Sequence, residues 1–99
     1  MPTTEIELAA ADGAEARTVR LQLQADGAVR LHAYDKGATA RLTFDRDEYE
    51  FWVTVPPEAV ARLAFELMRD KYAGSLQAVT EFRDFCKSRE IVNTFDTWS

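Results

Sequence analysis

Two side chains in this 99-residue chain have the chemistry of a nucleophile and its base: the single cysteine, Cys86, and the single histidine, His32. Such a pair works only within hydrogen-bond reach. His32 has the parity of the outward face of a strand, whereas Cys86 falls on the apolar stripe of a helix. The two are expected on opposite sides of a sheet, with Cys86 buried. One histidine and one cysteine cannot complete a tetrahedral zinc site. Asp45, Asp47, Glu48 and Glu50 crowd four carboxylates that could in principle meet a hard cation. The run lacks the glycine and the distal glutamate of a calcium loop, so it reads as a solvated turn that guards an apolar strand. No GxSxG, P-loop or GxGxxG motif is present. The expectation is a protein that is not an enzyme, with no cofactor and no metal.

The remaining constellation is a set of arginines and rings: Arg20, Arg30, His32, Tyr34, Arg41 and Trp52. Arginine beside aromatic rings can stack bases and track phosphates, as on single-stranded nucleic-acid platforms. The same residue types are enriched at protein hot spots. They also occur on plain solvated sheets, where Arg41 would lie over Trp52 as a cross-strand pair. The net charge of −5 ranks a protein partner, or a second copy of the chain, above nucleic acid or a small ligand on this face.

Strands must position these residues. Apolar and polar residues alternate with period two in five stretches: Ile6–Ala10, Val19–Leu23, Val29–Ala33, Ala40–Phe44 and Tyr49–Val55. Paired antiparallel residues point to one face, so the registers can be tested for consistency. A three-residue loop Ala25-Asp26-Gly27, with Gly27 left-handed, pairs Leu23 with Val29 and Leu21 with Leu31. A first loop from Ala11 to Ala16 pairs Leu8 with Val19 and Glu7 with Arg20. A Lys36-Gly37 turn pairs Leu31 with Leu42, and a loop from Asp45 to Glu48 pairs Leu42 with Phe51. The outward rows then read Glu7, Arg20, His32, Arg41, Trp52, then Gln22, Arg30, Thr43, Glu50, then Thr18, Tyr34, Thr39, Thr54.

After Pro56-Pro57 the period becomes helical. Val60, Leu63, Ala64, Leu67 and Met68 form one stripe. Ser75 is the expected N-cap of a second helix whose stripe is Leu76, Val79, Phe82, Phe85 and Cys86. Residues 91–99 are expected to form a short strand or an extended tail. The predicted fold is α+β: a five-stranded antiparallel meander, two C-terminal helices packed on one face, and that tail, all as one domain over residues 1–99.

Composition supports a single soluble domain: 46% hydrophobic, 29% charged, eleven aromatics. No apolar run approaches the roughly 20 residues of a membrane span, so no membrane partner is expected. The N-terminus has no signal core and the lone cysteine suits a reducing compartment, which together predict a cytoplasmic location. The charge is uneven. Residues 17–46 carry six bases against three acids, while the segments on either side are acidic.

Glu48-Tyr49-Glu50-Phe51-Trp52, the Val55-Pro56 junction and Phe95-x-x-Trp98 resemble features of a group of small, uncharacterised bacterial α+β proteins. The resemblance covers the second half of the chain. It implies a fold and no activity. An acidic immunity-type inhibitor is a further alternative, by analogy of size and charge. The expected function is binding or homodimerisation through the sheet face that bears Arg20, Arg30, His32, Tyr34, Arg41 and Trp52.

Overall fold

The computed structural model describes residues 4–13, 15–37 and 48–98. The chain has an α+β architecture with an antiparallel sheet and two helices. Its contacts divide it into two compact units, residues 1–64 and 65–99, with the boundary falling inside the first helix.

The first unit carries the sheet. Strands β1 (Thr4–Ala11), β2 (Glu15–Leu23), β3 (Val29–Gly37) and β4 (Glu48–Val55) lie in the order β1-β2-β3-β4, each antiparallel to its neighbour. The β2–β3 hairpin follows its expected register: Leu23 pairs with Val29 and Leu21 with Leu31. Gly27 adopts φ 96°, a left-handed conformation that glycine takes without steric cost. Gly27 N–H donates to Gln24 C=O at 3.0 Å, and Gln24 N–H donates to Ala28 C=O at 2.8 Å. Asp26 Oδ1 accepts the Ala28 N–H at 3.0 Å and braces the turn.

The β1–β2 hairpin departs from expectation at one residue. Glu7 pairs with Arg20 as the alternation requires, but Ala9, not Leu8, pairs with Val19. Leu8 is the extra residue of a β-bulge on an outer strand of the described sheet, where bulges concentrate.

The larger correction concerns strand number. The described sheet has four strands, not five, and β4 pairs directly with β3. Lys36 and Gly37 continue β3 and do not turn the chain, and Glu48 opens β4. Leu31 therefore meets Val53, not Leu42, and Val29 meets Val55. The expected strand Ala40–Phe44 and the residues Asp45–Asp47 lie outside the described residues. The physical reason is that β4, with Tyr, Phe, Trp, Val and Thr in succession, is made of the residues that best fit a pleated surface. Against β3 it forms apolar pairs at Leu31–Val53 and Val29–Val55 on one face. Alternation fixes which face each residue takes, and both arrangements obey it. Neighbour order is a separate choice.

Pro56, with extended backbone, leads into one 3-10 turn over Pro57–Ala59, and helix α1 follows over Val60–Tyr72. Arg69 and Lys71 in its last turn suit the negative end of the helix dipole.

In the second unit, Gly74 at φ 79° ends α1, and helix α2 spans Ala78–Ser88. The cap expected at Ser75 is displaced, because Gln77 occupies the N-cap position. Ser75 serves the turn ahead of the helix: its Oγ accepts the Gln77 N–H at 3.3 Å and donates to Glu81. The C-terminus of α2 closes with Ile91 N–H on Cys86 C=O at 2.9 Å and Glu90 N–H on Lys87 C=O at 3.3 Å. This is a Schellman closure with Glu90, not glycine, in the left-handed position at φ 56°. Cys86 is buried, as expected. Residues 91–98 form no strand; Arg83 holds them to α2 through a guanidinium 3.9 Å from the centre of the Phe95 ring. No helix among the described residues is long and apolar enough to cross a membrane.

Candidate interaction surface on the sheet

Pairing sets two faces. One carries Ile6, Leu21, Leu31 and Val53 in a row, with Ala9, Val19, Ala33 and Phe51 in the next. The other carries the row Glu7–Arg20–His32–Trp52, flanked by Glu5–Gln22–Arg30–Thr54 and by Thr18–Tyr34–Glu50. Five of the six residues singled out from the sequence share this second face: Arg20, Arg30, His32, Tyr34 and Trp52. Arg41 lies outside the described residues.

The flanking rows differ from expectation in one respect. Thr54 stands beside Arg30 and Glu50 beside Tyr34, the reverse of the five-strand order. Removing a strand between β3 and β4 reverses the direction of β4 relative to β3. Trp52 is the point about which that reversal turns, so it stays beside His32.

Side chains on this face meet on a consistent diagonal, one pair removed from the residue directly opposite. Arg20 Nε reaches Glu5 Oε1 at 3.2 Å, past its partner Glu7. His32 Nε2 lies 3.6 Å from Glu50 Oε1, past Trp52. Tyr34 reaches Glu48, past Glu50. The right-handed twist of antiparallel strands brings one diagonal closer than the other. The same offset lays the Arg30 guanidinium 5.7 Å from the centre of the Trp52 ring, while its Nε donates to Thr54 Oγ1 at 3.0 Å. Arg30 thus stands over Trp52; the pairing expected between Arg41 and Trp52 lies outside the described residues. The His32 and Trp52 rings are tilted at 39° with centroids 6.1 Å apart.

These contacts set the electrostatics. The Glu48 carboxylate accepts the Tyr34 hydroxyl and, helped by desolvation and the nearby negative charges, raises that phenol above its ordinary value. Arg20 and His32 each face a carboxylate, and Arg30 is engaged by Thr54 and Trp52. Trp52 itself is 53% exposed, whereas the His32 side chain is only 16% exposed. The ring that projects is the tryptophan.

Comparison with known proteins finds no matching family model, no matching curated protein and no matching solved structure. The site is therefore read from its own geometry.

One feature of the apolar face escaped the reading of the sequence. Arg17 and Asp35 pair directly across β2 and β3 through two charge-assisted bonds, Nε–Oδ1 at 2.5 Å and Nη2–Oδ2 at 2.6 Å. The hydrogen bond from Arg17, with its positive charge, pulls the Asp35 carboxyl below its usual range, and Asp35 in turn raises Arg17. The Arg17 guanidinium also lies 5.4 Å from the centre of the Phe51 ring, two strands away. The small side chain of Ala33 in the intervening strand is buried there. A shallow cavity of about 220 Å³ opens at this point, with Val19, Leu31 and Val53 among its walls. The signal for this pair was available: the register that sets Leu21 opposite Leu31 also sets Arg17 opposite Asp35.

Among the described residues, no group of three or more His, Cys, Asp or Glu could hold a metal ion. His32 belongs to the first unit and Cys86 to the second.

Proposed function

We propose that this chain is a non-enzymatic protein-interaction domain that docks a partner, or a second copy of itself, through the sheet face bearing Trp52. The observation that carries it is the half-exposed Trp52 ring held between Arg30 and His32. A large ring kept in one orientation by its neighbours contributes contact area at little further entropic cost.

Single-stranded nucleic acid or a small ligand is the second reading of the same face. Glu5, Glu7, Glu48 and Glu50 among the arginines weigh against it, because they oppose the phosphate attraction that dominates such binding.

A Trp98→Phe chain makes Trp52 the sole tryptophan reporter. Self-docking through this face predicts that its emission moves to shorter wavelength as concentration rises, and that Arg30→Ala weakens the shift. Emission that stays constant and freely quenchable at every concentration removes self-docking. Tight, steeply salt-dependent binding of an oligothymidylate would transfer the face to the second reading.

A further inference from the structure

The direction of the main-chain groups of β4 follows from the β2–β3 turn. The bond from Gln24 N–H to Ala28 C=O makes these two a hydrogen-bonded pair. Such pairs alternate with non-bonded ones along an antiparallel ladder. Gln22–Arg30 and Arg20–His32 are then bonded pairs, so Arg30, His32 and Tyr34 turn their main-chain groups toward β2. Leu31 and Ala33 turn theirs toward β4, where they meet Val53 and Phe51. It follows that Glu50, Trp52 and Thr54 direct their N–H and C=O groups away from β3. Among the described residues, β4 is an outer strand of the sheet. Glu48–Val55 contains no proline, lysine or bulge, the features that discourage pairing at an edge. Phe51, Trp52 and Val53 are all exposed.

We propose that this edge pairs with the same edge of a second copy of the chain, antiparallel, about a two-fold axis at Trp52. The register is self-complementary. Trp52 stands opposite its copy, Glu50 opposite Thr54, and Phe51 opposite Val53, so no two like charges face each other. The outward groups of Glu50, Trp52 and Thr54 all enter bonded pairs. Phe51 and Val53 then form the intervening non-bonded pairs, where opposite side chains approach most closely. The ladder ends where Pro56, which has no N–H, comes opposite Glu48. An axis at Val53 brings Pro56 opposite Glu50 and shortens the ladder. An axis at Phe51 draws Glu48 and Glu50 both into it. This inference deepens the self-docking reading by naming the partner, but it uses the main chain of the edge where that reading uses side chains of the face. Thr54→Pro tests the edge and Arg30→Ala tests the face, so either idea can fail alone.

The test is light scattering with amide hydrogen exchange on the full chain across a concentration series. The expected result is a dimer in which the Glu50, Trp52 and Thr54 amides gain protection as concentration rises. Thr54→Pro removes an outward N–H and should abolish both the dimer and that added protection. Thr54→Val keeps the N–H while removing the Oγ1 bonded to Arg30, and should keep the dimer. If Thr54→Pro does not fold, Trp52→Lys sets like charges on the axis and should give the same loss of dimer. Added salt should strengthen the dimer, because each copy carries a charge of −5. A chain that stays monomeric at every concentration overturns the proposal. So does a dimer whose Glu50, Trp52 and Thr54 amides remain unprotected. Full protection of these amides in a dilute monomer also overturns it, because the edge is then held within one chain.

Discussion

β1 and β4 are the outer strands of the described sheet, and they are built differently. β1 carries a bulge at Leu8, two carboxylates at Glu5 and Glu7, and a run of alanines. β4 is continuous along its whole pairing with β3 and concentrates Phe51, Trp52, Val53 and Val55. A bulge breaks the even spacing that a new strand would need, and charge along an edge disfavours a second strand of like charge. β4 has carboxylates only toward one end, at Glu48 and Glu50, and no interruption. Among the described residues, one edge is defended and the other is suited to pairing, within a sheet of four strands.

The strongest way to sharpen this contrast is to place proline at adjacent positions of β4. Val53 gives its N–H to β3, so Val53→Pro leaves the Leu31 carbonyl without its donor. The expected loss is about 1–3 kcal/mol in chemical denaturation. Thr54→Pro should cost clearly less, since that N–H points away from β3. Equal losses at the two positions would break the assignment of main-chain directions.

Deleting Leu8 attacks the other edge. It joins the Glu7–Arg20 and Ala9–Val19 pairs into an uninterrupted ladder. Stability is expected to change by no more than about 1 kcal/mol, while β1 loses its bulge. Light scattering should then show higher-order association that the parent chain lacks. Unchanged behaviour would mean the acids, not the bulge, defend β1.

Glu90→Gly serves as a control far from both edges in sequence. Its left-handed backbone costs glutamate up to about 1 kcal/mol that glycine does not incur, partly offset by the greater freedom of glycine in the unfolded chain. A rise in thermal midpoint with no change in association would separate stability from edge pairing.

The smallest expected effect is at Arg17–Asp35. Asp35 has its carboxyl pK lowered in the folded state, first by the hydrogen bond from Arg17. A lowered folded value means the contribution is present above the unfolded value near 3.9 and is lost as pH falls through the folded one. The stability difference between the parent and Asp35→Asn should therefore shrink below about pH 4. A difference that stays constant from pH 7 to pH 2 would show that the pair contributes no pH-dependent stability.

The face assignment was legible because it depends only on parity. Arg20, Arg30, His32, Tyr34 and Trp52 share a face in the structure as their alternation requires. The Ala25-Asp26-Gly27 turn was legible because a left-handed residue is needed where a glycine stands. The order of strands was not, because parity is unchanged when one strand is removed from between two others. What does change is direction, which is why Glu50 and Thr54 exchange places while Trp52 does not. The bulge at Leu8 was hidden for a similar reason: the expected register holds from Thr4 to Glu7 and slips by one residue beyond.

By itself the sequence determined the α+β class, the polarity of each sheet face, the β2–β3 register and the burial of Cys86. These follow from local alternation and helical period, which are set by the covalent geometry of successive residues. Only the tertiary structure decided that β4 lies against β3, that Arg30 covers Trp52, and which main-chain groups of β4 point away from its neighbour. Those outcomes depend on which distant segments meet, and several pairings satisfy the same local pattern. The choice among them rests on the summed energy of the pairs formed.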